Sequence, residues 1–316
     1  MRFAIAGAGA VGAYLGALMS RAGLNVTLLA RGATLAAIAE HGVVVTGAGG
    51  KITAHPPATD DPAAIGPVDT VFLAVKAHAL PTLAPRLAPL LGPETTVVSL
   101  QNGIPWWFFP DMRIERLDPD GAISAAIERR RVAGGIVYFA TENEAPGVVR
   151  HIDGNRLSLG EPDGGRSERC RVIAQALVAA GLRCPVTAHL REEIWVKLLG
   201  NLALNPISAL TGATLAGILG DPATRALAAE IMAEGAALGE KLGIHLPVSI
   251  EQRLAGAEKV GEHKTSMLQD LEAGRPLELE AIAGAALEIA EKLGVPMPRT
   301  GAVYACTRLR AARRGL

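Results

Sequence analysis

Short apolar runs alternate with helical patterns through the first half of the chain. RFAIAG (2–7), NVTLLA (25–30), TVFLAV (70–75) and TTVVSLQ (95–101) are continuous and rich in branched side chains. Strands buried on both faces have that composition. Between them, AVGAYLGALMSRAG, ATLAAIAEHG and HALPTLAPRLAPLLG read as crossover helices. This alternation predicts a parallel sheet with helices on both faces. GGIVYFAT, GVVRHIDG and RLSLGEP then read as an antiparallel meander that extends or caps that sheet, followed by a helix through SERCRVIAQALVAAG.

From about residue 188 the strand signal disappears, and helical periodicity punctuated by Gly and Pro runs to the end. EKLGIHLP (240–247) and EKLGVPMP (291–298) resemble each other, which a shared helix stop explains, with Gly past the last turn and Pro soon after. The predicted class is therefore α/β: a Rossmann-type doubly wound N-terminal domain (1–187) and an all-helical C-terminal domain (188–316).

Composition narrows the functional classes. Lys+Arg and Asp+Glu are equal at 31 each, so nothing favours a nucleic-acid backbone or an anionic membrane as partner. Arg129–Arg131 and the tail RLRAARRGL read as solvated helix faces or ends. Three scattered cysteines without a CxxC argue against a disulfide framework or a zinc site and suit a reducing cytoplasm. The apolar N-terminus invites comparison with a signal peptide, but glycines at 7, 9, 12 and 16 would break its helix. No glycine-free apolar run is long enough to predict a transmembrane helix.

Gly7-Ala8-Gly9-Ala10-Val11-Gly12 matches G-x-G-x-x-G directly after a strand and at the start of a helix, the context a dinucleotide pyrophosphate requires. The second strand ends on Ala30 and Arg31, with no carboxylate before Glu40. A ribose 2′-hydroxyl would need an acidic acceptor there, whereas a guanidinium pairs with a 2′-phosphate, so the expected cofactor is NADPH/NADP+. Lys76 and Asn102 follow the next two strands, where such sheets gather ligands, although both residue types are also ordinary in turns.

In EEIWVKLLGNLALNP, Lys197, Asn201 and Asn205 share one helix face at i, i+4 and i+8 among apolar neighbours. The stripe either faces solvent or lines a wet site, and two asparagines are unusual for a plain solvent face. Ser266 and Glu278 lie across a turn at Gly274-Arg275-Pro276; the serine could be a helix cap, and the glutamate could merely suit a helix's first turn.

With GAGAVG, Arg31, AVKAH, QNG, W-x-K-x-x-x-N-x-x-x-N-P and S-M-x-Q-D followed by Glu278, the chain resembles the ketopantoate (2-dehydropantoate) reductase family over essentially its whole length. The resemblance implies NADPH-dependent reduction of a 2-oxo acid to a D-type 2-hydroxy acid, with ketopantoate to D-pantoate in pantothenate biosynthesis the leading case. It implies Lys197 as general acid and Asn102, Asn201, Asn205 and Ser266 as substrate ligands. Glu278 would bind substrate or steady the lysine, and Asn102 and Glu278 would also lie at the cofactor with Gly7–Gly12, Arg31 and Lys76.

The chain departs from the pattern at Leu215, where compact members carry another asparagine. The stretch 104–125 holds four consecutive aromatics, Trp106 to Phe109, which could wall a bulkier pocket, form a lid, or pack between domains or subunits. A bulkier 2-oxo acid therefore stays open as substrate. A β-hydroxyacid dehydrogenase of the 6-phosphogluconate type shares the domain plan, but the N-P and the Ser/Glu pair speak against it. A non-catalytic NADP(H) sensor would be expected to lose the lysine or the amides, which are present. A homodimer through the apolar helical domain is the expected assembly.

Overall fold

The computed structural model describes residues 1–47 and 49–316 and divides into two compact units. The first holds residues 1–101 and 121–190, the second 102–120 and 191–316.

In the first unit, strands β1 (Arg2–Ala6), β2 (Asn25–Leu29), β3 (Val43–Gly47), β4 (Ile52–Ala54), β5 (Ala58–Thr59), β6 (Val68–Leu73), β7 (Leu91–Ser99), β8 (Val132–Val137), β9 (Ala140–Ala145), β10 (Val148–Asp153) and β11 (Leu157–Gly160) form two sheets. The larger, in the order β11-β8-β7-β6-β1-β2-β5, is parallel except for β11. The chain runs outward from β1 through β2 to β5, then returns to β6 on the other side of β1. That reversal creates a topological switch at the carboxyl ends of β1 and β6.

The expected meander is corrected. β8 and β11 join the large sheet, but β9 and β10 combine with β3 and β4 in a second sheet, ordered β4-β3-β10-β9. Helices of this unit are α1 (Ala10–Arg21), α2 (Gly32–His41), α3 (Pro62–Ile65), α4 (Leu80–Leu83), α5 (Ala122–Ala126) and α6 (Glu168–Ala179). α1 packs on both β2 and the strands of the second sheet, and every residue from Gly12 to Met19 is buried. A helix apolar on all sides belongs in such a position, which accounts for the signal-like composition of the N-terminus. Gly16 admits Leu28 there, since a Cβ would come within 2.6 Å of its Cδ2.

The expected crossover helix over 78–92 is broken: only Leu80–Leu83 is α-helical, flanked by 3₁₀ turns. Pro81, Pro85 and Pro89 recur once per turn, each removing a backbone donor and crowding the preceding turn. The basic run at 129–131 does more than face solvent, because Arg131 Nη1 donates to the carbonyls of Gly92 (2.6 Å) and Pro93 (3.1 Å) at the start of β7. Cys170 and Cys184 are free and buried, and burial pushes their thiols up to about 11 and about 12.

The second unit has helices and no strand among its described residues, with α7 (Leu190–Thr211), α8 (Leu215–Gly220), α9 (Pro222–Lys241), α10 (Ile250–Glu258), α11 (Ser266–Glu272), a π-helical turn at Glu280–Gly284, α12 (Ala285–Leu293) and α13 (Pro298–Ala312). Trp195 of α7 is fully buried and its indole N–H donates to the Gly235 carbonyl at 2.9 Å. α9 comes this close because Gly239 lacks a Cβ, which would sit 2.5 Å from the Trp195 Nε1. Both EKLG segments end their helices identically: Gly243 and Gly294 have φ of +72° and +67°, and Ile244 and Val295 donate back to Gly239 and Ala290. That is the glycine helix stop expected from sequence.

Residues 102–120, expected inside the first domain, belong to this helical unit. Trp106, Trp107 and Phe108 are buried, and the Phe108 ring lies 5.7 Å from that of Trp195. Arg191 covers the other side of Phe108 at 4.3 Å and donates to its carbonyl at 2.7 Å. The aromatic run is therefore core for the helices. The tail is tethered as well, Arg310 donating to the Leu210 carbonyl and Arg314 to that of Leu271 at 3.2 Å.

Candidate functional site

The Gly7–Gly12 turn leaves β1 at the switch point and is shaped by steric necessity. Gly7 adopts φ +107°, and a Cβ there would approach Val75 Cγ1 at 2.6 Å. A Cβ on Gly12 would overlap the Gly7 carbonyl oxygen, so α1 can start this close to β1 only with glycine. Gly9 behaves differently, for a Cβ there would meet nothing within 4 Å. It caps α1 without any side-chain hydrogen bond, so the N-cap position offers no side-chain acceptor to the first-turn amides. Open space, uncapped amides and a helix N-terminus together fit the pyrophosphate of a dinucleotide.

Arg31 is exposed at the N-terminus of α2, whose first turn has no acidic residue, and it makes no ion pair with the described residues. Lys76 is partly buried just past β6 and begins a 3₁₀ turn, Ala79 donating to its carbonyl at 3.0 Å. Gln101 was missed by the pattern reading. Its amide donates to the carbonyls of Leu73 (2.8 Å) and Val75 (3.1 Å) and accepts from Ser99 Oγ at 2.9 Å. It thereby fixes the end of β6, including the Val75 that Gly7 touches. Its place beside Asn102, at the end of a buried strand, was the available signal.

The second group lies wholly in the helical unit. Lys197 Nζ donates to Asn102 Oδ1 at 2.8 Å, and Asn102 Nδ2 points at Glu278 Oε2 at 3.5 Å, the long limit for such a bond. Asn102 thus bridges cation and carboxylate with each end of its amide facing the appropriate charge. Burial pushes the partly buried Lys197 ammonium down to about 8, opposed by the Glu278 carboxylate, which favours the charged form.

Gly103 explains how Asn102 is aimed. Its φ is +83°, and a Cβ would strike the Ala281 carbonyl, which accepts from Ile104 N at 2.9 Å. Glu278 stands just before the π-helical turn, and its backbone carbonyl accepts from Ile282 at 3.2 Å. Its carboxylate serves the asparagine, beyond the helix-end role that sequence allowed.

Asn201 and Asn205 continue the face of Lys197 at one and two turns, about 6 and 12 Å along the axis. No described residue pairs with either side-chain amide, although Asn205 is only 7% exposed. An amide so placed calls for a partner from outside the chain. Ser266 is exposed at the start of α11, and the cap is its neighbour Thr265, whose Oγ1 accepts from Leu268 N at 3.3 Å. No hydrogen bond joins Ser266 to the lysine group. Leu215 is buried behind Thr214, the cap of α8.

Two family models match the chain: "Ketopantoate reductase PanE/ApbA" over residues 3–164 and "Ketopantoate reductase PanE/ApbA C terminal" over residues 189–311. The chain belongs to the ketopantoate reductase family. A 2-dehydropantoate 2-reductase of Mesorhizobium japonicum is 47% identical, with 100% of this chain and 99% of that protein covered. Among solved structures, a Ralstonia solanacearum protein described as a ketopantoate reductase superposes with a TM-score of 0.95 at 44% identity, covering 100% and 99% of the two chains. The 2-dehydropantoate 2-reductase of Geobacter metallireducens gives 0.88 at 30% identity, covering 98% and 99%. Family membership extends across both units, so the glycine turn and the lysine stripe are parts of one oxidoreductase.

Proposed function

We propose that this ketopantoate reductase family member reduces ketopantoate to D-pantoate with NADPH, and that Lys197 is the proton donor. The observation that carries the reading is the Lys197–Asn102–Glu278 group, an ammonium lowered by burial and aimed by a bridging amide.

A reduced nicotinamide dinucleotide, when bound, supplies the hydride. The glycine turn would hold its pyrophosphate on the amides of Ala10 to Gly12, Arg31 would pair with a 2′-phosphate, and Lys76 would assist at the end of β6. Arg31 and the lack of an acid at the end of β2 support NADPH over NADH.

Negative charge grows on the substrate carbonyl oxygen as C2 is reduced. The Lys197 ammonium would stabilise that charge and transfer its proton to the oxygen, leaving a neutral amine. A free lysine near 10.4 is a reluctant donor at neutral pH, whereas one near 8 is mostly protonated yet releases its proton far more readily. Glu278 would keep the ammonium charged before reaction, and Asn102 would hold it in one orientation. The unpaired amides of Asn201 and Asn205 would orient the substrate's carboxylate and hydroxyl groups, with Ser266 contributing its free hydroxyl. A bulkier aromatic substrate loses its chief motive, since Trp106, Trp107 and Phe108 are occupied in packing.

Initial rates of NADPH and NADH oxidation across ketopantoate and a panel of aliphatic and aromatic 2-oxo acids test the proposal. The expected outcome is highest kcat/KM for ketopantoate with NADPH. Tight NADPH binding without turnover of any 2-oxo acid would sink it.

A further inference from the structure

Asn102 and Glu278 meet Lys197 from separate segments, so something must hold those segments in register. The structure shows a cluster placed to do this. Arg116, on the same segment as Asn102, pairs through Nη1 with Glu280 Oε2 and donates to Tyr304 Oη at 2.8 Å. Tyr304 Oη, on α13, in turn donates to Glu280 Oε1 at 2.8 Å, and the guanidinium also lies over its ring at 5.5 Å. Glu280 stands two residues after Glu278, in the π-helical turn. Its carboxylate and the Arg116 stem close over Gly284, where a Cβ would come within 3.1 Å of Arg116 Cδ. Glu288 of α12 adds two bonds to the same segment, accepting from the amides of Glu115 (2.9 Å) and Arg116 (3.1 Å).

We propose that Arg116, Glu280 and Tyr304 are positioning residues for the reduction: they fasten the 102–120 segment to the turn that follows Glu278, and so hold Asn102 and Glu278 against Lys197. The proposal rests on the reading of Lys197 as proton donor. An exposed ion pair stabilises little by itself, so the cluster's contribution is geometric. The three side chains close a ring of hydrogen bonds, and single π-helical turns within helices are frequent at functional sites. Burial, then the neighbouring Glu280 carboxylate, holds the Tyr304 phenol above its usual range, so it remains a donor. Glu278 is the charged group whose field acts on Lys197.

Tyr304→Phe keeps the ring beneath Arg116 and removes only the hydroxyl; Glu280→Gln keeps the shape and removes the charge. For each, kcat and KM for ketopantoate would be followed across the alkaline range, with NADPH affinity measured separately and Lys197 titrated directly by ¹³Cε NMR. The expected result is a roughly ten- to hundredfold loss of kcat with KM nearly unchanged, because the displaced groups act on the reacting geometry. NADPH affinity stays at the parent value. The alkaline limb and the NMR titration of Lys197 both depart from the parent by about half a pH unit or more, because the hydration of the ammonium and its distance from the Glu278 carboxylate both change. If Lys197 titrates as in the parent in both variants, the cluster is merely structural and the proposal is overturned, whatever happens to the melting temperature. If the parent reduces no 2-oxo acid, the functional reading fails, and the NMR titration alone decides: a moved Lys197 upholds the positioning role and an unmoved one overturns it.

Discussion

The glycine turn of the first unit and the lysine group of the second are built from opposite materials. Gly7 to Gly12 works through backbone: absent side chains, a positive φ and amides left uncapped at a helix start. The lysine group works through side chains drawn from positions 102, 197 and 278, held in place by packing and hydrogen bonds over long chain separations. A backbone site tolerates no added atoms but is indifferent to distant changes. A side-chain site survives local changes of shape and is vulnerable to anything that moves its supports. Substitutions should therefore separate binding in one unit from chemistry in the other.

The largest effect is expected from Lys197→Ala, with turnover falling by about 10²–10⁴ as the general acid is lost. Fluorescence titration should find NADPH affinity unchanged, because the glycine turn is untouched. Gly12→Ala inverts the comparison. Its Cβ would overlap the Gly7 carbonyl, forcing β1 and α1 apart. NADPH affinity should drop by about a hundredfold or more, equivalent to about 2.7 kcal/mol, and Lys197 should titrate as before. Arg31→Ala is gentler, as the guanidinium is exposed: the preference for NADPH over NADH should shrink by about tenfold, read from the ratio of kcat/KM values.

The smallest effect is on stability. Folding lowers the Lys197 titration from 10.5 to about 8, so below pH 8 the folded state must keep an unfavourable buried charge. Between about pH 8 and 10.5 the unfolded chain holds the proton more tightly, and this group's contribution to stability rises with pH. Lys197→Met removes that dependence. Its melting temperature should exceed the parent's near pH 7, with the gap closing as pH rises through that window.

The same contrast explains what was legible in advance. The turn could be read because its glycine spacing is local, with Gly7 and Gly12 answering steric demands of the strand and helix they join, and the stripe Lys197-Asn201-Asn205 because helical spacing is local too. The parallel strands β1, β2, β6 and β7 announced themselves by continuous branched apolar residues. Strand β9, with the sequence ATENEA, did not, and neither did β4, only three residues long. Prolines at 81, 85 and 89 stand openly in the sequence, and each removes a donor that a continuous crossover helix would need.

Asn102 was legible as a residue at a strand end, but its grouping with the helices was not. The 102–120 segment joins the helices because Phe108 packs on Trp195, a contact between residues far apart in the chain. The ring formed by Arg116, Glu280 and Tyr304 left no sequence signal, since none of the three sits in a motif.

The most direct test of the central claim is the rate of a single turnover of ketopantoate at saturating NADPH, followed across the alkaline range in the parent protein and in Lys197→Ala. If Lys197 is the proton donor, the parent rate is level at neutral pH and falls above about pH 8, and the variant is at least about a hundredfold slower with that break gone. A variant with near-parental rates and the same alkaline break would contradict that assignment, because the titrating proton donor would then be some group other than Lys197.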